Sequence, residues 1–167
     1  MKTMKTKTIR QTVIFSCTPH EFYEIIMDSK KHSFYTGDEA KMSRKEGGEF
    51  IAAAGYIEGK NLKLVKDKMI VQSWRGGDFP EGHMSKVVFE LKKDKTGTKL
   101  TFTHEGVPEK NYKNINTGWK TYYWDKIKAK LANPKHKSAP TPKKMLKKVS
   151  KKSTAKKSAV KKAKAKK

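Results

Sequence analysis

Apolar and polar residues alternate near the start of the chain. In residues 8–16, TIRQTVIFS, the side chains of Ile9, Val13 and Phe15 share one face with Gln11, and the residues between them are mostly polar. A period of two residues is typical of a strand with one buried face. The pattern therefore predicts a β-strand at the beginning of the fold.

Two short helices are predicted to follow this strand. In TPHEFYEIIMD, Thr18 can cap a helix, Pro19 suits the first helical position, and Glu21 completes a capping box. The next segment, SKKHSFYTG, ends at Gly37, and a glycine can adopt the left-handed conformation that closes many helices.

From about residue 38 to residue 105, short runs with strand character alternate with the turn sequences GG, KDK, GGDFPEG and DKTG. Connections this short favour an antiparallel meander. The predicted strands are EAKMS, GEFIAAAG, YIEGKNLKLV, MIVQSWR, HMSKVVFELKK and TKLTFTHE.

The segment NYKNINTGWKTYYWDKIKAKL predicts a long amphipathic helix, because its apolar residues recur every three or four positions. Gly118 weakens that helix and moves its expected start towards Asn116 or Thr117. The apolar stripe consists of Tyr112, Ile115, Trp119, Tyr122 or Tyr123, Ile127 and Leu131.

The predicted order is one strand, two short helices, about six strands and one long helix. A sheet with a buried face needs a cover, and the terminal helix can supply it. We therefore expect an α+β helix-grip fold, in which a curved antiparallel sheet of about six to seven strands surrounds a long C-terminal helix.

Charge divides the chain into two parts. The net charge of the 167 residues is +24, and residues 133–167 contribute +15 of it with fifteen lysines and no acidic residue, which leaves +9 on residues 1–132. Self-repulsion and few apolar residues predict a disordered tail. We therefore expect a folded domain at 1–132 and a disordered Lys/Ala-rich tail at 133–167.

The expected compartment is the cytoplasm. The single cysteine, Cys17, cannot form an intramolecular disulfide, which suits a reducing environment. No apolar run approaches the roughly 18 residues that span a bilayer, and the alternating start does not resemble a signal peptide.

The stretch VQSWRGGDFPEGHMSKV places Asp78, Glu81 and His83 close together and raises the question of an acid–base site. Its glycines and proline are typical of a hairpin, and Trp74 and Phe79 are expected to anchor it. The structural interpretation is preferred, and no catalytic residue is predicted.

His104 shares a strand face with Leu100 and Phe102 and is expected to point towards the core, as a hydrogen-bonded structural histidine or as a polar contact to a ligand. Cys17 is in phase with Val13 and is interpreted as a small buried residue. No metal site and no cofactor are predicted, because ligand spacing is lacking.

The tail predicts nonspecific binding of nucleic acid. Each lysine that neutralises a phosphate releases a counterion, and lysine offers no bidentate readout of bases. A solubilising tail and a tail that meets anionic lipid are the alternatives, and nucleic acid would add a nucleoid or chromatin association. The candidate residues are Lys143, Lys144, Lys147, Lys148, Lys151, Lys152, Lys156, Lys157, Lys161 and Lys162.

Several motifs resemble one known family. GGEF, GYIEGKNLKLV, the W-R-x-x-x-x-P-E-G-H stretch and the G-W-x-x-Y-Y-W helix are similar to the activator of heat-shock protein 90 ATPase homologue family in its C-terminal-domain form, over residues 10–131. That family belongs to the START-related SRPBCC superfamily. In FIAAAGYIEG the chain departs from its relatives, and the three alanines are expected to leave extra space or to form a bulge.

The resemblance implies a cavity between sheet and helix that accepts apolar ligands, and a heat-shock protein 90-type chaperone as a possible partner. The leading hypothesis is a non-enzymatic binding module for an apolar small molecule or client. The alternatives are a co-chaperone that modulates the chaperone ATPase, and a hydrolase or cyclase that acts in the cavity. The candidate cavity-lining residues are Trp74, Phe102, His104, Trp119, Tyr122 and Tyr123.

Overall fold

The computed structural model describes residues 4–133, and within them it contains one antiparallel sheet of seven strands. The strands are Thr6–Phe15 (β1), Lys41–Met42 (β2), Glu49–Ala52 (β3), Ile57–Val65 (β4), Met69–Gly76 (β5), Ser85–Asp94 (β6) and Gly97–Pro108 (β7). Their spatial order is β1-β7-β6-β5-β4-β3-β2. The predicted α+β class, a curved antiparallel sheet with a long C-terminal helix, is confirmed.

The two short helices form as predicted, at Pro19–Met27 (α1) and Ser29–Thr36 (α2). The Thr18 hydroxyl accepts from the Glu21 amide, and the Glu21 carboxylate accepts from the Thr18 amide, so the capping box is complete. Gly37 ends α2 in the left-handed conformation. Local sequence signals alone account for this part of the fold.

The connection between β3 and β4 differs from the prediction. The run GEFIAAAG was expected to be a strand throughout, but β3 ends at Ala52 and a 3-10 turn occupies Ala53–Gly55. Ala53 and Ala54 both have positive φ angles, of 52° and 55°, and a side chain disfavours that region. Ala53, Ala54 and Gly55 thus form an irregular turn after the strand, which takes the place of the expected bulge.

The C-terminal helix starts earlier than expected. A 3-10 turn at Glu109–Asn111 leads into Tyr112–Gly118 (α3), a π-helical segment at Trp119–Trp124, and Asp125–Leu131 (α4). Gly118 keeps helical backbone angles, so the expected start near Asn116 or Thr117 was wrong. Tertiary packing of the aromatic residues outweighs the low helix propensity of one glycine.

The π-helical segment decides which aromatic side chains are buried. Trp119 and Trp124 stack with ring centroids 5.4 Å apart and an interplanar angle of 18°. The wider turn of a π-helix brings residues five apart onto a similar face. Tyr123 is buried as well, whereas Tyr122 is 61% exposed. The sequence left open whether Tyr122 or Tyr123 belongs to the apolar stripe of the helix, and the buried residue is Tyr123.

The core lies between the inner face of the sheet and this helix. Strand side chains meet helix aromatics there, as in the contact of Phe102 with Trp119, whose ring centroids are 4.5 Å apart. Burying each large apolar side chain contributes about 1.5–3 kcal/mol. Other fully or almost fully buried members are Ile9, Phe15, Phe22, Ile70, Phe89, Leu100 and Ile127.

Gln11 joins the first strand to the helix through both ends of its side-chain amide. Its Oε1 accepts from Trp124 Nε1 at 2.6 Å, and its Nε2 donates to the Asn116 side-chain oxygen at 2.9 Å. A polar residue on the inner face of β1 thus satisfies the indole N–H of a buried tryptophan, which would otherwise carry a desolvation cost.

A buried chain of hydrogen bonds connects the helix to three strands. Trp119 Nε1 donates to His104 Nδ1 at 3.0 Å, His104 Nε2 lies 2.7 Å from Ser85 Oγ, and Ser85 Oγ donates to the Trp74 carbonyl at 2.7 Å. An indole N–H only donates, so Nδ1 must be the unprotonated nitrogen and Nε2 carries the proton. Both nitrogens of His104, the Trp119 N–H group and the Ser85 hydroxyl are therefore all hydrogen-bonded while His104 stays neutral.

Burial lowers the pKa of His104 from its ordinary value to about 3. Burial also lowers the pKa of His32, whose Nδ1 donates to the Ile26 carbonyl at 2.9 Å while its Nε2 accepts from the Tyr123 hydroxyl at 2.8 Å. Two buried neutral histidines therefore help to hold the helix against the body.

We predict that acid destabilises the fold through His104. Well above pH 6.5, His104 is neutral in both the folded and the unfolded protein. Below that pH the unfolded protein binds a proton at His104, whereas the folded protein does so only near pH 3. Between pH 7 and pH 5, His104 alone should cost about 2 kcal/mol of unfolding free energy. Urea titrations followed by tryptophan fluorescence at these pH values measure the loss.

The matched variant is His104→Gln, which keeps hydrogen-bonding groups but does not titrate. The variant should be less stable than the wild type at pH 7. Between pH 7 and pH 5, however, its unfolding free energy should decrease by about 2 kcal/mol less than that of the wild type. Because His32 is present in both proteins, the difference isolates His104. Equal pH dependence in the two proteins would contradict the prediction.

Candidate functional site

A pocket of about 370 Å³ lies between the C-terminal helix, the end of α2 and the β4–β5 part of the sheet. Its floor is made of buried residues and its rim of exposed ones. The floor residues are Thr36, Ile57, Trp74, Ile115, Trp119 and Tyr123. The rim residues are Asp38, Tyr56, Asp78, Asn114 and Tyr122.

The helix aromatics on the floor direct their polar atoms away from the pocket. Trp119 donates its N–H to His104, and Tyr123 donates its hydroxyl proton to His32. Burial, with a smaller effect from the negative charge of Asp38, raises the pKa of Tyr123, so this phenol stays protonated. The surfaces that these two side chains leave for the pocket are therefore ring faces and edges.

The rim has a fixed carboxylate. Asp78 Oδ1 accepts from the Tyr56 hydroxyl at 2.6 Å, and Asp78 Oδ2 accepts from Asn111 Nδ2 at 3.1 Å. Burial, strengthened by the bond to Asp78, raises the pKa of Tyr56. Asn111 is only 5% exposed, and among the described residues its Oδ1 is a buried acceptor with no hydrogen-bond partner.

Two small residues complete the lining, and the sequence did not identify either as a site residue. Gly118 sits in the helix at the pocket, where an added Cβ would meet only the Tyr122 ring, at 3.6 Å. Ala53 belongs to the irregular turn between β3 and β4. The available signal was the glycine inside an amphipathic helix pattern. A glycine there destabilises the helix, and a need for space beside the backbone is one reason for a glycine at such a position.

The structure places four of the six candidate cavity residues on the lining: Trp74, Trp119, Tyr122 and Tyr123. Phe102 and His104 are not on it. Both have zero exposure and lie behind the pocket wall, where each contacts Trp119. Whether the pocket binds a ligand stays a prediction.

The polar residues of the loop between β5 and β6 have structural contacts. His83 Nε2 donates to the Gly106 carbonyl at 2.7 Å, and Phe79 is buried with its ring centroid 5.6 Å from that of Trp74. Asp78 is engaged with Tyr56 and Asn111, as described above. The loop connects two antiparallel neighbours, as the hairpin interpretation requires.

Cys17 is buried, and its carbonyl accepts from the Thr98 hydroxyl at 2.7 Å. Residues 4–133 contain no group of three or more His, Cys, Asp or Glu side chains arranged to hold a metal ion. None of their helices has the length and apolar character needed to cross a bilayer.

The ten candidate nucleic-acid-binding lysines, from Lys143 to Lys162, lie outside the described residues. Nothing about their placement enters the geometry of the site.

Comparison with known proteins gives the family. The model of the family "Activator of Hsp90 ATPase homolog 1-like protein" matches residues 16–132. The activator of 90 kDa heat shock protein ATPase homolog of Dictyostelium discoideum is 30% identical over 124 residues, which are 74% of this chain and 32% of that protein. Homolog 1 of Homo sapiens is 30% identical over 122 residues, 72% of this chain and 35% of that protein.

A crystal structure described as an HSP90 activator from Plasmodium falciparum has a TM-score of 0.67 and 25% identity, and the match covers 79% of this chain and 99% of that one. In contrast, the chain spans about a third of the length of the two curated relatives. The family match alone covers most of the folded part, and the sheet and helix agree with it. The chain therefore belongs to the Activator of Hsp90 ATPase homolog 1-like protein family.

Proposed function

We propose that the folded domain is a non-enzymatic binding module that holds an apolar small molecule in the pocket between helix and sheet. The observation that carries the proposal is the pair of helix aromatics on the floor, Trp119 and Tyr123, whose hydrogen-bonding atoms are taken up by His104 and His32, so that a ligand meets their ring surfaces. A volume of about 370 Å³ lies in the range of small-molecule sites.

The chemistry of the pocket favours binding over catalysis. His104 lies behind the floor against Trp119, but both of its nitrogens are engaged and burial lowers its pKa to about 3. It cannot serve as a general base near neutral pH. The alternative, a hydrolase or cyclase, would have to use Asp38 or Asp78 on the rim.

We predict that filling the pocket at Gly118 weakens binding of an apolar probe. The wild-type protein should bind the neutral fluorophore N-phenylnaphthylamine saturably, and Gly118→Leu should weaken that binding at least about tenfold, because the new side chain occupies pocket volume. Fluorescence titration measures both affinities.

Two variants serve as controls. Thr117→Leu adds the same side chain at an exposed position of the same helix outside the lining, and it should bind the probe like the wild type. Gly118→Ala should raise the unfolding free energy by about 1 kcal/mol, because the backbone is helical there and the new Cβ makes an ordinary contact. Equal binding by the wild type and both leucine variants would refute the proposal.

The second candidate function is contact with an Hsp90-type chaperone. Its support is the similarity to proteins named as activators of that ATPase, at 30% identity over residues that make up about a third of their length. The rest of those proteins has no counterpart in the match. We therefore propose a co-chaperone-like contact in which this domain binds the chaperone without carrying the full stimulatory activity.

A chaperone ATPase assay tests this second function. We expect the protein to bind an Hsp90-type chaperone and to change its ATPase rate little, because the matched region is only part of each activator. A variant with the ten candidate tail lysines changed to Gln controls for nonspecific attraction between the tail and acidic protein surfaces. A strong, saturable stimulation would favour the activator role over the ligand-binding one.

We also propose that the lysine-rich tail binds nucleic acid without sequence preference. The support is its composition: fifteen lysines and no acidic residue in residues 133–167. Association with a nucleoid or with chromatin would follow from such binding. Solubilisation and attraction to anionic lipid stay the alternatives.

We expect that changing the ten tail lysines to Gln removes most of the affinity for duplex DNA at low salt. The dependence of log affinity on log salt should become less steep by about 0.9 for each phosphate that the variant no longer neutralises. The control changes four exposed lysines of the folded domain, Lys92, Lys93, Lys95 and Lys99, to Gln and should lose less DNA affinity for each lysine changed. Unchanged DNA retention in the tail variant would refute this role.

A further inference from the structure

The polar groups of the pocket are not distributed evenly. The buried floor is aromatic and aliphatic apart from Thr36, whereas the exposed rim brings two carboxylates, Asp38 and Asp78, from two different loops. No lysine, arginine or histidine is among the described residues that line the pocket. This is notable in a domain whose residues 1–132 carry a net charge of +9.

The rim carboxylate of Asp78 is fixed in a position where it could bind a positive group. Tyr56 and Asn111 each donate one hydrogen bond to it, which fixes its position, and no lysine or arginine of the described residues forms an ion pair with it. A group that carries both positive charge and N–H donors suits such a carboxylate.

The aromatic residues of the pocket suit the same kind of group. Three tyrosines and two tryptophans line it, and the face of an aromatic ring attracts cations. The Lys126 ammonium already lies 5.7 Å from the centroid of the Tyr122 ring, while it donates to the Thr36 carbonyl at 3.0 Å. Two rim carboxylates and this one ammonium thus lie around the pocket, and the guanidinium of Arg75, at the loop that carries Asp78, is held by the Gly76 and Phe79 carbonyls.

We infer that the ligand of the pocket is an amphipathic organic cation, with an apolar body on the aromatic floor and an ammonium group at the rim between Asp38 and Asp78. The inference rests on the proposed ligand-binding function and specifies its ligand class. Burial of the apolar body supplies affinity, and the carboxylates select the charge.

The test compares three probes with the same body and different head groups: phenylbutylamine, which is cationic, phenylbutanol, which is neutral, and phenylbutyrate, which is anionic. Amide chemical-shift titrations of the full-length protein at low salt measure each affinity and locate the binding site. We expect the amine to bind about tenfold more tightly than phenylbutyrate, with phenylbutanol between them. The preference should shrink at high salt.

Charge-neutralising variants assign the effect to the rim. Asp38→Asn and Asp78→Asn should each lower the ratio of amine affinity to phenylbutanol affinity several-fold. Asp78→Asn keeps an acceptor for Tyr56, and Asn111 can rotate its amide to accept from the new NH₂ group. Lys126→Gln should increase the preference, because it removes the ammonium beside Tyr122. The control is Glu105→Gln, an exposed carboxylate outside the pocket lining, which should have no effect.

The outcomes separate this inference from the proposed function. Equal affinity for the three probes at the pocket, or tighter binding of phenylbutyrate, overturns the cation inference but leaves ligand binding intact. If none of the probes shifts pocket resonances and N-phenylnaphthylamine also fails to bind, both are overturned. A preference for the amine that survives both aspartate variants also overturns the inference, because the rim would not be its source.

Discussion

The N–H group of Trp119 is the constraint on which the rest of the structure depends. A buried indole needs an acceptor, and it finds one in His104 only while that imidazole is neutral with its proton on the far nitrogen. Ser85 and the Trp74 carbonyl then complete the chain. Because these partners belong to three neighbouring strands, the contact fixes how the helix is rotated against the sheet, and that rotation decides which helix residues form the pocket wall.

Period and local signals predicted much of the fold. The alternation in β1 put Gln11 on the inner face, and the signals at Thr18 and Gly37 located two helices. The π-helical segment could not be found in this way. At 3.6 residues per turn, Tyr122 and Tyr123 are alternatives for the buried face, and a contact of Trp124 with Trp119 is not expected. The wider turn results from tertiary packing of these large side chains.

The candidate site was predicted only in part, for a related reason. Aromatic residues stand out in a sequence, so Trp74, Trp119 and the two tyrosines were identified. The residues that create empty space are harder to assign to a site. Gly118 was interpreted as a weak point in a helix, and the alanines at 52–54 were expected to leave extra space or to form a bulge, but neither was named as a lining residue. Gly118 and Ala53 both line the pocket, where their small side chains leave room. Rim residues such as Asp38 come from loops, whose positions in space depend on the whole fold.

The pocket lies in the part of the chain that matches the family. All of the lining residues that belong to the described part of the chain lie within the matched segment 16–132, which corresponds to about a third of each curated relative. The Trp119 side chain donates its N–H group to His104 in the core and also lines the pocket. A ligand that contacts this ring therefore touches the residue that also seats the helix, and its binding should stabilise the domain through that shared side chain.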